Sequence, residues 1–246
     1  MEFETTYDTE CQETDRSSSR SEWMRGLREA VPVMLGFVPF ALVLGAQATR
    51  KGFATTEVPL MTGLNFGGGS EFAAIQLWTS PPHVLLIVAI TFLVNSRHLL
   101  MGAALTPFLK GLSKRKACMA LFFMCDESWA MGLADTKRRE ATTLSLPYYM
   151  GAALALYWTW VCATYLGALL GPVMGNPETY GFDMAFPAVF LILLKGMWTG
   201  LRAAIPWLVS LAVGVLACVL LPGAWYVVVG SAAGILCACC FQGGRS

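Results

Sequence analysis

The sequence predicts an all-α polytopic integral membrane protein, and three observations support this fold class. Hydrophobic residues make up 56% of the 246 residues and charged residues only 13%, with a mean hydropathy of +0.57. A soluble domain carries about 25% charged residues. Apolar stretches close to the roughly 20 residues that a membrane-crossing helix needs recur along the whole chain. One of them is interrupted by three glycines and a carboxylate, which a lipid-facing helix would exclude.

Eight apolar segments are candidates for crossings. They are residues 31–48, 58–78, 84–105, 117–134, 146–170, 185–204, 206–221 and 224–240. Segment 58–78 contains the glycine run, and segment 117–134 carries the two carboxylates Asp126 and Glu127 near its middle. Re-entrant or discontinuous helices carry such interruptions around transporter sites. We therefore predict six to eight transmembrane segments, with a Gly-broken second segment.

The first residues differ in composition from the rest of the chain. Residues 1–25 are rich in acidic side chains and contain the run Ser17-Ser18-Ser19. Such a segment buries too little apolar surface to order itself. The sequence therefore predicts a disordered polar tail over residues 1–25 and a single transmembrane domain over residues 26–241.

Several functional classes are excluded or unsupported. The net charge is +1, and no basic patch is interleaved with aromatic residues, so we predict no nucleic-acid partner. The chain contains no G-x-S-x-G elbow, phosphate-binding loop, H-E-x-x-H or G-x-G-x-x-G motif. We therefore predict no enzymatic activity, no catalytic residues, no cofactor and no metal site.

The run from Asn65 to Glu71 is the first polar cluster. Each of its glycines costs a helix about 1 kcal/mol relative to alanine, so we predict a broken helix that lines a polar cavity. Backbone N–H groups at Gly68, Gly69 and Ser70, where a new half-helix would begin, are suited to bind a carboxylate. Glu71 would hold a cation or carry a proton. The alternative is a glycine-rich packing contact between helices.

The second and third clusters are Asn95-Ser96-Arg97-His98 and Asp126-Glu127-Ser128. At about 100° per residue, Asn95 and His98 fall on one helix face while Arg97 points elsewhere. Adjacent carboxylates in an apolar segment call for a nearby cation, and Arg97 is the predicted partner of Asp126 or Glu127. A structural ion pair and a role in substrate or proton binding both remain open for Arg97.

These clusters, with motifs further along the chain, resemble one known family. Gly68-Gly69-Ser70-Glu71-Phe72 resembles its Ala-Gly-x-x-Gln-Phe, Asn95 to His98 resembles its Asn-x-Arg-His, and Asp126-Glu127 resembles its Asp-Glu motif. Further matches lie in the second half, at Tyr149-x-Gly151, Trp160-x-x-x-Thr164-x-x-Gly167 and residues 182–190. Over about residues 26–240 the chain is similar to the AzlC family, the large subunit of branched-chain amino acid exporters. It departs from the family at Glu71, where an ionisable group replaces the usual Gln.

The resemblance implies secondary export of branched-chain amino acids across the cytoplasmic (inner) membrane, driven by protons and assisted by an AzlD-type small membrane subunit. It supplies no established binding residues. From the residues themselves, the candidate substrate-binding set is Gly68, Gly69, Ser70, Glu71, Asn95 and Arg97, and the candidate proton-coupling set is Glu71, His98, Asp126 and Glu127. An apolar wall would accept methionine as well. Two alternatives stay open: a membrane-embedded structural or regulatory subunit, and a channel or exporter for another small organic solute.

Overall fold

A computed structural model of the chain describes residues 2–173, 200–220 and 225–242. Within these ranges all the regular structure is helical, which confirms the predicted class. The helices are α1 (Glu2–Arg50), α2 (Glu57–Asn65), α3 (Gly69–Gln76), α4 (Val84–Asn95), α5 (Arg97–Leu105), a 3-10 helix (Thr106–Leu109), α6 (Lys114–Phe122), α7 (Asp126–Arg138), α8 (Leu146–Leu170), α9 (Leu201–Leu220) and α10 (Trp225–Gln242). Most of the predicted segment 185–204 and the matching residues 182–190 lie outside the described residues.

Three helical stretches in the described part of the chain are long and apolar enough to cross a bilayer. They are Ser19–Arg50, Val84–Leu109 and Leu146–Leu170, and shorter apolar helices cover Ala204–Leu220 and Val229–Cys240. The 25 residues of α8 extend about 37 Å at 1.5 Å per residue, more than the hydrocarbon core of about 30 Å. Large apolar side chains point outward from α4, where Leu85 is 85% and Phe92 is 71% exposed. The fold is therefore that of a polytopic helical membrane protein.

Helices α1 and α8 pack backbone against backbone at both ends of their contact. A Cβ atom on Gly26 of α1 would collide with the carbonyl oxygen of Tyr148, and one on Gly167 of α8 would collide with that of Leu42. Gly45 and Gly151 lie equally close to the partner helix. Small residues permit this approach, which maximises van der Waals contact where the hydrophobic effect does not drive helix association. The two helices form the scaffold on which the shorter ones pack.

Three of the predicted segments are broken near their middles. Segment 58–78 divides into α2 and α3 through Phe66 and Gly68, whose φ angles of +43° and +51° are left-handed. This confirms the predicted Gly-broken second segment. Segment 84–105 divides at Ser96, and segment 117–134 divides before Asp126. Each resulting half-helix has 8–13 residues, about half the thickness of a bilayer.

Helix α1 includes the segment for which the sequence predicts a polar tail. Helix α1 begins at Glu2, and by Glu22 its side chains already contact the rest of the protein. Ser145 Oγ donates to Glu22 Oε2 over 3.0 Å, and Arg25 Nη1 lies 2.7 Å from Asp135 Oδ1. These polar contacts, which composition does not reveal, hold α1, near the middle of its length, against α7 and the start of α8.

Asp135 is the centre of this polar cluster at the end of α7. Its side chain is 1% exposed, and it accepts hydrogen bonds from Arg25, Arg138 and Arg139 at 2.7, 3.1 and 2.8 Å. The Arg25 guanidinium also lies 4.1 Å from the centre of the Tyr148 ring, within the range of a cation–π contact. The C-terminal end of α7 is thus fixed to α1, while its N-terminal end faces the middle of the fold.

Candidate substrate cavity

A cavity of about 370 Å³ lies where the three broken segments meet. Its lining comes from α1 (Val33, Gly36, Phe37, Phe40), the α2–α3 break (Phe66, Gly67, Gly68, Gly69), α5 (Arg97, His98), the start of α7 (Cys125, Asp126, Glu127) and α8 (Trp160). Nine residues make up the two predicted site sets, and six of them line this cavity: Gly68, Gly69, Arg97, His98, Asp126 and Glu127. The three polar clusters of the sequence therefore meet at one place in the fold.

The N-termini of three half-helices open onto this cavity. Gly69 begins α3, Arg97 begins α5 and Asp126 begins α7, and all three line the cavity. A helix N-terminus carries a partial positive charge and unsatisfied backbone N–H groups. Discontinuous membrane helices use this arrangement to hold the anionic group of a substrate. The geometry therefore favours an anionic group in the cavity even before side chains are considered.

Arg97 connects all three helix breaks. Its Nη1 lies 2.7 Å from Oδ2 of Asp126, and its Nη2 donates to the carbonyl oxygen of Gly67 over 3.0 Å. This confirms the predicted pairing of Arg97 with a carboxylate of the third cluster. The two side chains are 37% and 32% exposed, so part of the ion pair faces the cavity. One side of the cavity therefore presents both a positive and a negative group.

The ion pair leaves hydrogen-bonding capacity unused. Nε of Arg97 and Oδ1 of Asp126 are buried and have no hydrogen-bond partner among the described residues. A buried polar atom without a partner costs about 1–3 kcal/mol. The Arg97–Asp126 ion pair therefore leaves one donor and one acceptor unsatisfied. A ligand that carries both an acceptor and a donor could satisfy them if the two side chains moved apart to admit it.

Glu71 lies behind the cavity wall and does not line it. Its side chain is buried, and both carboxylate oxygens are already engaged: Oε2 accepts from Trp160 Nε1 at 2.8 Å, and Oε1 accepts from the Gly67 N–H at 3.0 Å. Asn65 Nδ2 also points to Oε1, at 3.4 Å. Glu71 is the third residue of α3, where a carboxylate is favoured by the helix dipole. Its contacts hold the α2–α3 break in shape.

Ser70 and Asn95 also lie behind the wall. Asn95 Nδ2 donates to Asn65 Oδ1 over 2.9 Å, and Asn65 Nδ2 donates to Ser70 Oγ over 2.8 Å. This chain of side-chain hydrogen bonds joins the first two breaks. It closes around Gly67, where a Cβ atom would collide with Ser70 Oγ. Of the predicted substrate-binding residues, Gly68, Gly69 and Arg97 line the cavity, whereas Ser70, Glu71 and Asn95 support it.

The residues of the second cluster have different positions relative to the cavity. Arg97 and His98 line it, whereas Asn95 does not. Helix α4 ends at Asn95 and α5 begins at Arg97, with Ser96 between them in a helical conformation, φ −56° and ψ −23°. His98 Nδ1 lies 3.2 Å from the carbonyl oxygen of Asn95 and thereby faces the end of α4.

The aromatic wall is a part of the site that the sequence reasoning missed. Phe37 and Phe40 each lie against Trp160, with ring centres 5.6 and 5.8 Å from it, so α1 and α8 together contribute an apolar surface to the cavity lining. The residues Val33, Gly36, Phe37 and Phe40 follow the i, i+3, i+4, i+7 spacing of one helix face. That spacing could have identified the face of α1 that lines the cavity. Because nearly all the neighbouring residues are apolar too, this face cannot be distinguished from the others by sequence alone.

Comparison with known proteins places these motifs in context. The sequence profile of the AzlC protein family matches residues 32–174. The inner membrane protein YgaZ of Escherichia coli K12 is 25% identical over 221 residues, covering 88% of each chain. The branched-chain amino acid transport protein AzlC of Bacillus subtilis 168 is 23% identical over 218 residues, covering 86% of this chain and 83% of its own length.

A third relative is an uncharacterized membrane protein of Archaeoglobus fulgidus, 27% identical over 192 residues, which cover 76% of this chain and 82% of the relative. No solved structure matches the chain significantly. The family match includes all three helix breaks and the cavity residues of α1, α5, α7 and α8. Two of these relatives are named as membrane proteins, which agrees with the long apolar helices found in this chain.

Proposed function

The chain belongs to the AzlC family, and on that premise we propose that this membrane transporter exports branched-chain amino acids and methionine across the cytoplasmic membrane. The proposal includes coupling to protons and assembly with an AzlD-type small membrane subunit. The name of the Bacillus subtilis relative supports the substrate class, and the name of the Escherichia coli relative supports the inner membrane. The geometry of the cavity supports it independently.

The observation that carries the proposal is that an ion pair and a group of aromatic rings line the same small cavity. Arg97 and Asp126 supply charges of both signs, and Phe37, Phe40 and Trp160 supply apolar surface. A zwitterion with an apolar side chain has the matching distribution of charge. Binding pockets for small molecules have volumes of about 300–1,000 Å³, and a cavity of about 370 Å³ suits a solute at the small end.

The substrate carboxylate would lie near the N-termini of α3 and α5, beside Gly68, Gly69 and the Arg97 guanidinium. The ammonium group would lie near Asp126 and Glu127, which begin α7. Arg97 Nε and Asp126 Oδ1 would then each gain the hydrogen bond that they lack. Binding therefore replaces part of the internal ion pair by contacts with the substrate.

Proton coupling is proposed for the ionisable groups of the cavity. His98, Asp126 and Glu127 line it, and a histidine changes charge near neutral pH more readily than other side chains. Glu71 was the fourth candidate from the sequence, and its oxygens are occupied by Trp160, Gly67 and Asn65. We therefore propose His98, Asp126 and Glu127, which a substrate can approach, as the first candidates for proton coupling.

Efflux from loaded cells tests the substrate claim. Cells that express the chain with its small subunit are loaded with labelled valine, leucine or methionine, and release is followed after dilution. The chain is expected to accelerate release of at least one of them, and Arg97→Gln to abolish the increase. Arg115→Gln, which removes an exposed arginine of α6, is the matched control and should release at the normal rate. Equal release with and without the chain for all three substrates would refute the proposal.

Coupling is tested separately by the pH dependence of efflux. His98→Gln and Glu127→Gln are each measured over a range of external pH at equal amounts of protein in the membrane. A coupling group is expected to flatten the pH profile when it is replaced. If both variants keep the profile of the unmodified chain, the assignment of protons to these residues fails while export itself can still hold.

A further inference from the structure

We infer that Gly36 sets the upper size of the side chain that the cavity accepts, an inference that rests on the proposed export of apolar amino acids. Gly36 lies within α1 and lines the cavity among three larger apolar residues, Val33, Phe37 and Phe40. These four positions form one face of the helix. The wall is therefore continuous except at Gly36, where a side chain is missing.

Among the described residues, the space next to Gly36 is open. A Cβ atom placed on Gly36 would meet no heavy atom of that part of the chain within 4 Å. The same test at Gly26, Gly45 and Gly167 gives collisions with the backbone of a neighbouring helix, so those glycines are explained by helix packing. A glycine inside a helix makes that helix less stable than an alanine would, so its presence needs an explanation such as packing or function. At Gly36 the explanation that the structure offers is the space that the missing side chain leaves for a ligand.

Two of the other glycines in the cavity lining are constrained by their surroundings. Gly67 is enclosed by Ser70 and Asn95, and Gly68 has a φ of +51°, which disfavours any residue with a Cβ atom. Gly36 has helical neighbours on both sides and is free of both constraints. Its side chain can therefore be enlarged without a backbone change, and the enlargement would occupy the cavity.

The aromatic residues around Gly36 pack against one another. Phe37 and Trp160 make a T-shaped contact, and the ring centre of Phe40 lies 5.8 Å from that of Trp160 and 4.6 Å from that of Phe72. Trp160 is in turn fixed by its hydrogen bond to Glu71. A methyl group or larger group added at Gly36 would therefore exclude substrate volume instead of displacing its neighbours.

The test is a series of increasing size, Gly36→Ala, Gly36→Val and Gly36→Leu, in the full chain expressed with its small subunit. Efflux of labelled alanine, valine, leucine and methionine is measured for each variant at equal protein in the membrane. We expect the ratio of leucine or methionine efflux to alanine efflux to fall stepwise, by about tenfold or more for Gly36→Leu, because one methylene changes selectivity by about 10–200-fold. Val38→Leu, which enlarges a residue of α1 outside the cavity lining, is the matched control and should keep the ratio.

The outcomes separate this inference from the function on which it rests. If the unmodified chain exports these amino acids and the Gly36 variants lose all of them equally, Gly36 is a hinge or packing residue and the inference is overturned. An unchanged ratio across the series overturns it as well. If the unmodified chain exports none of the four, the proposed function has failed and the size limit falls with it.

Discussion

Arg97 and Asp126 lie 29 positions apart in the chain, yet their side chains meet at 2.7 Å and join the starts of α5 and α7 across the cavity. The same guanidinium donates to the carbonyl oxygen of Gly67, so one side chain contacts all three interrupted segments. Each interruption exposes backbone groups that a continuous helix would satisfy. We therefore propose two purposes for the pair, which experiments can separate: it holds the breaks together, and it offers charge to a ligand.

Removal of either charge is expected to reduce both stability and efflux. Arg97→Gln or Asp126→Asn leaves the other group without its partner, and loss of a buried partner costs about 3–5 kcal/mol. Because the pair is about one third exposed, we expect a smaller loss, of about 1–3 kcal/mol. Unfolding of the purified variants in detergent measures the stability, and efflux of labelled leucine measures the function.

The exchanged pair, Arg97→Asp with Asp126→Arg, distinguishes the two purposes. It restores attraction between α5 and α7, so part of the lost stability is expected to return. Efflux is expected to stay low, since the charges are now reversed relative to the aromatic wall of Phe37 and Trp160. Recovery of efflux along with stability would show that the pair acts only as a structural contact.

Glu71→Gln is expected to destabilise the protein without changing the pH dependence of efflux. An amide has one oxygen where the carboxylate has two, and its nitrogen would face either Trp160 Nε1 or the N–H of Gly67, both of them donors. One unsatisfied buried donor costs about 1–3 kcal/mol. Thermal unfolding measures the loss, and efflux as a function of pH measures the coupling.

Trp160→Phe provides the matched comparison for Glu71. It removes the donor to Oε2 while keeping an aromatic ring against Phe37 and Phe40. The double variant with Glu71→Gln is expected to lose less stability than the sum of the two single variants, because both remove the same hydrogen bond. Additive losses, or a shifted pH profile in Glu71→Gln, would contradict the structural role assigned to this carboxylate.

The sequence predicted those parts of the site that depend on residue type. A carboxylate pair, an arginine and a glycine run each conflict with an apolar segment, and the cavity collects Gly68, Arg97 and Asp126 from all three. Which of these face a ligand depends on where helices break, and the break at Ser96 has no glycine or proline to mark it. The supporting positions of Glu71 and Asn95 follow from that local geometry and not from residue type.

The N-terminal half of α1 shows the same limit of sequence-based prediction, here for the fold. Composition alone indicates disorder up to residue 25, because charged residues bury little apolar surface. The contacts that order Glu22 and Arg25 are made with Asp135 and Ser145, more than 100 positions away. Long-range polar pairing of this kind has no periodic pattern in the sequence, so it appears only once the helices are placed.

Protonation of Asp135 at acid pH is expected to lower the stability of the folded protein. Burial raises the pKa of this carboxyl, but hydrogen bonds from Arg25, Arg138 and Arg139 outweigh burial and hold it below the usual value. Its contribution to stability is therefore fully present above the unfolded-state pKa of about 3.9 and is lost as the pH falls through the folded-state pKa. Asp135→Asn is expected to lower stability at pH 7 and to weaken its decline below about pH 4.

Unfolding measured between pH 3 and pH 7 checks this prediction. Arg138→Gln is the control, because Arg138 is largely exposed and ion pairs of exposed side chains contribute little to stability. If Asp135→Asn is no less stable than Arg138→Gln at pH 7, the buried carboxylate is not what holds α7 against α1.

Alanine substitutions at two glycines are expected to have opposite consequences for stability. A Cβ atom at Gly167 would collide with the backbone of Leu42 on α1, so Gly167→Ala must separate α1 from α8 and is expected to cost about 1–3 kcal/mol. Gly36→Ala meets open space and replaces a weak helix former by a strong one, so stability should be unchanged or higher by up to about 1 kcal/mol. Thermal unfolding of the two variants, purified in the same detergent, compares them directly. A loss at Gly36 as large as that at Gly167 would mean that α1 bends at Gly36 and that the open space beside it is not available to a side chain.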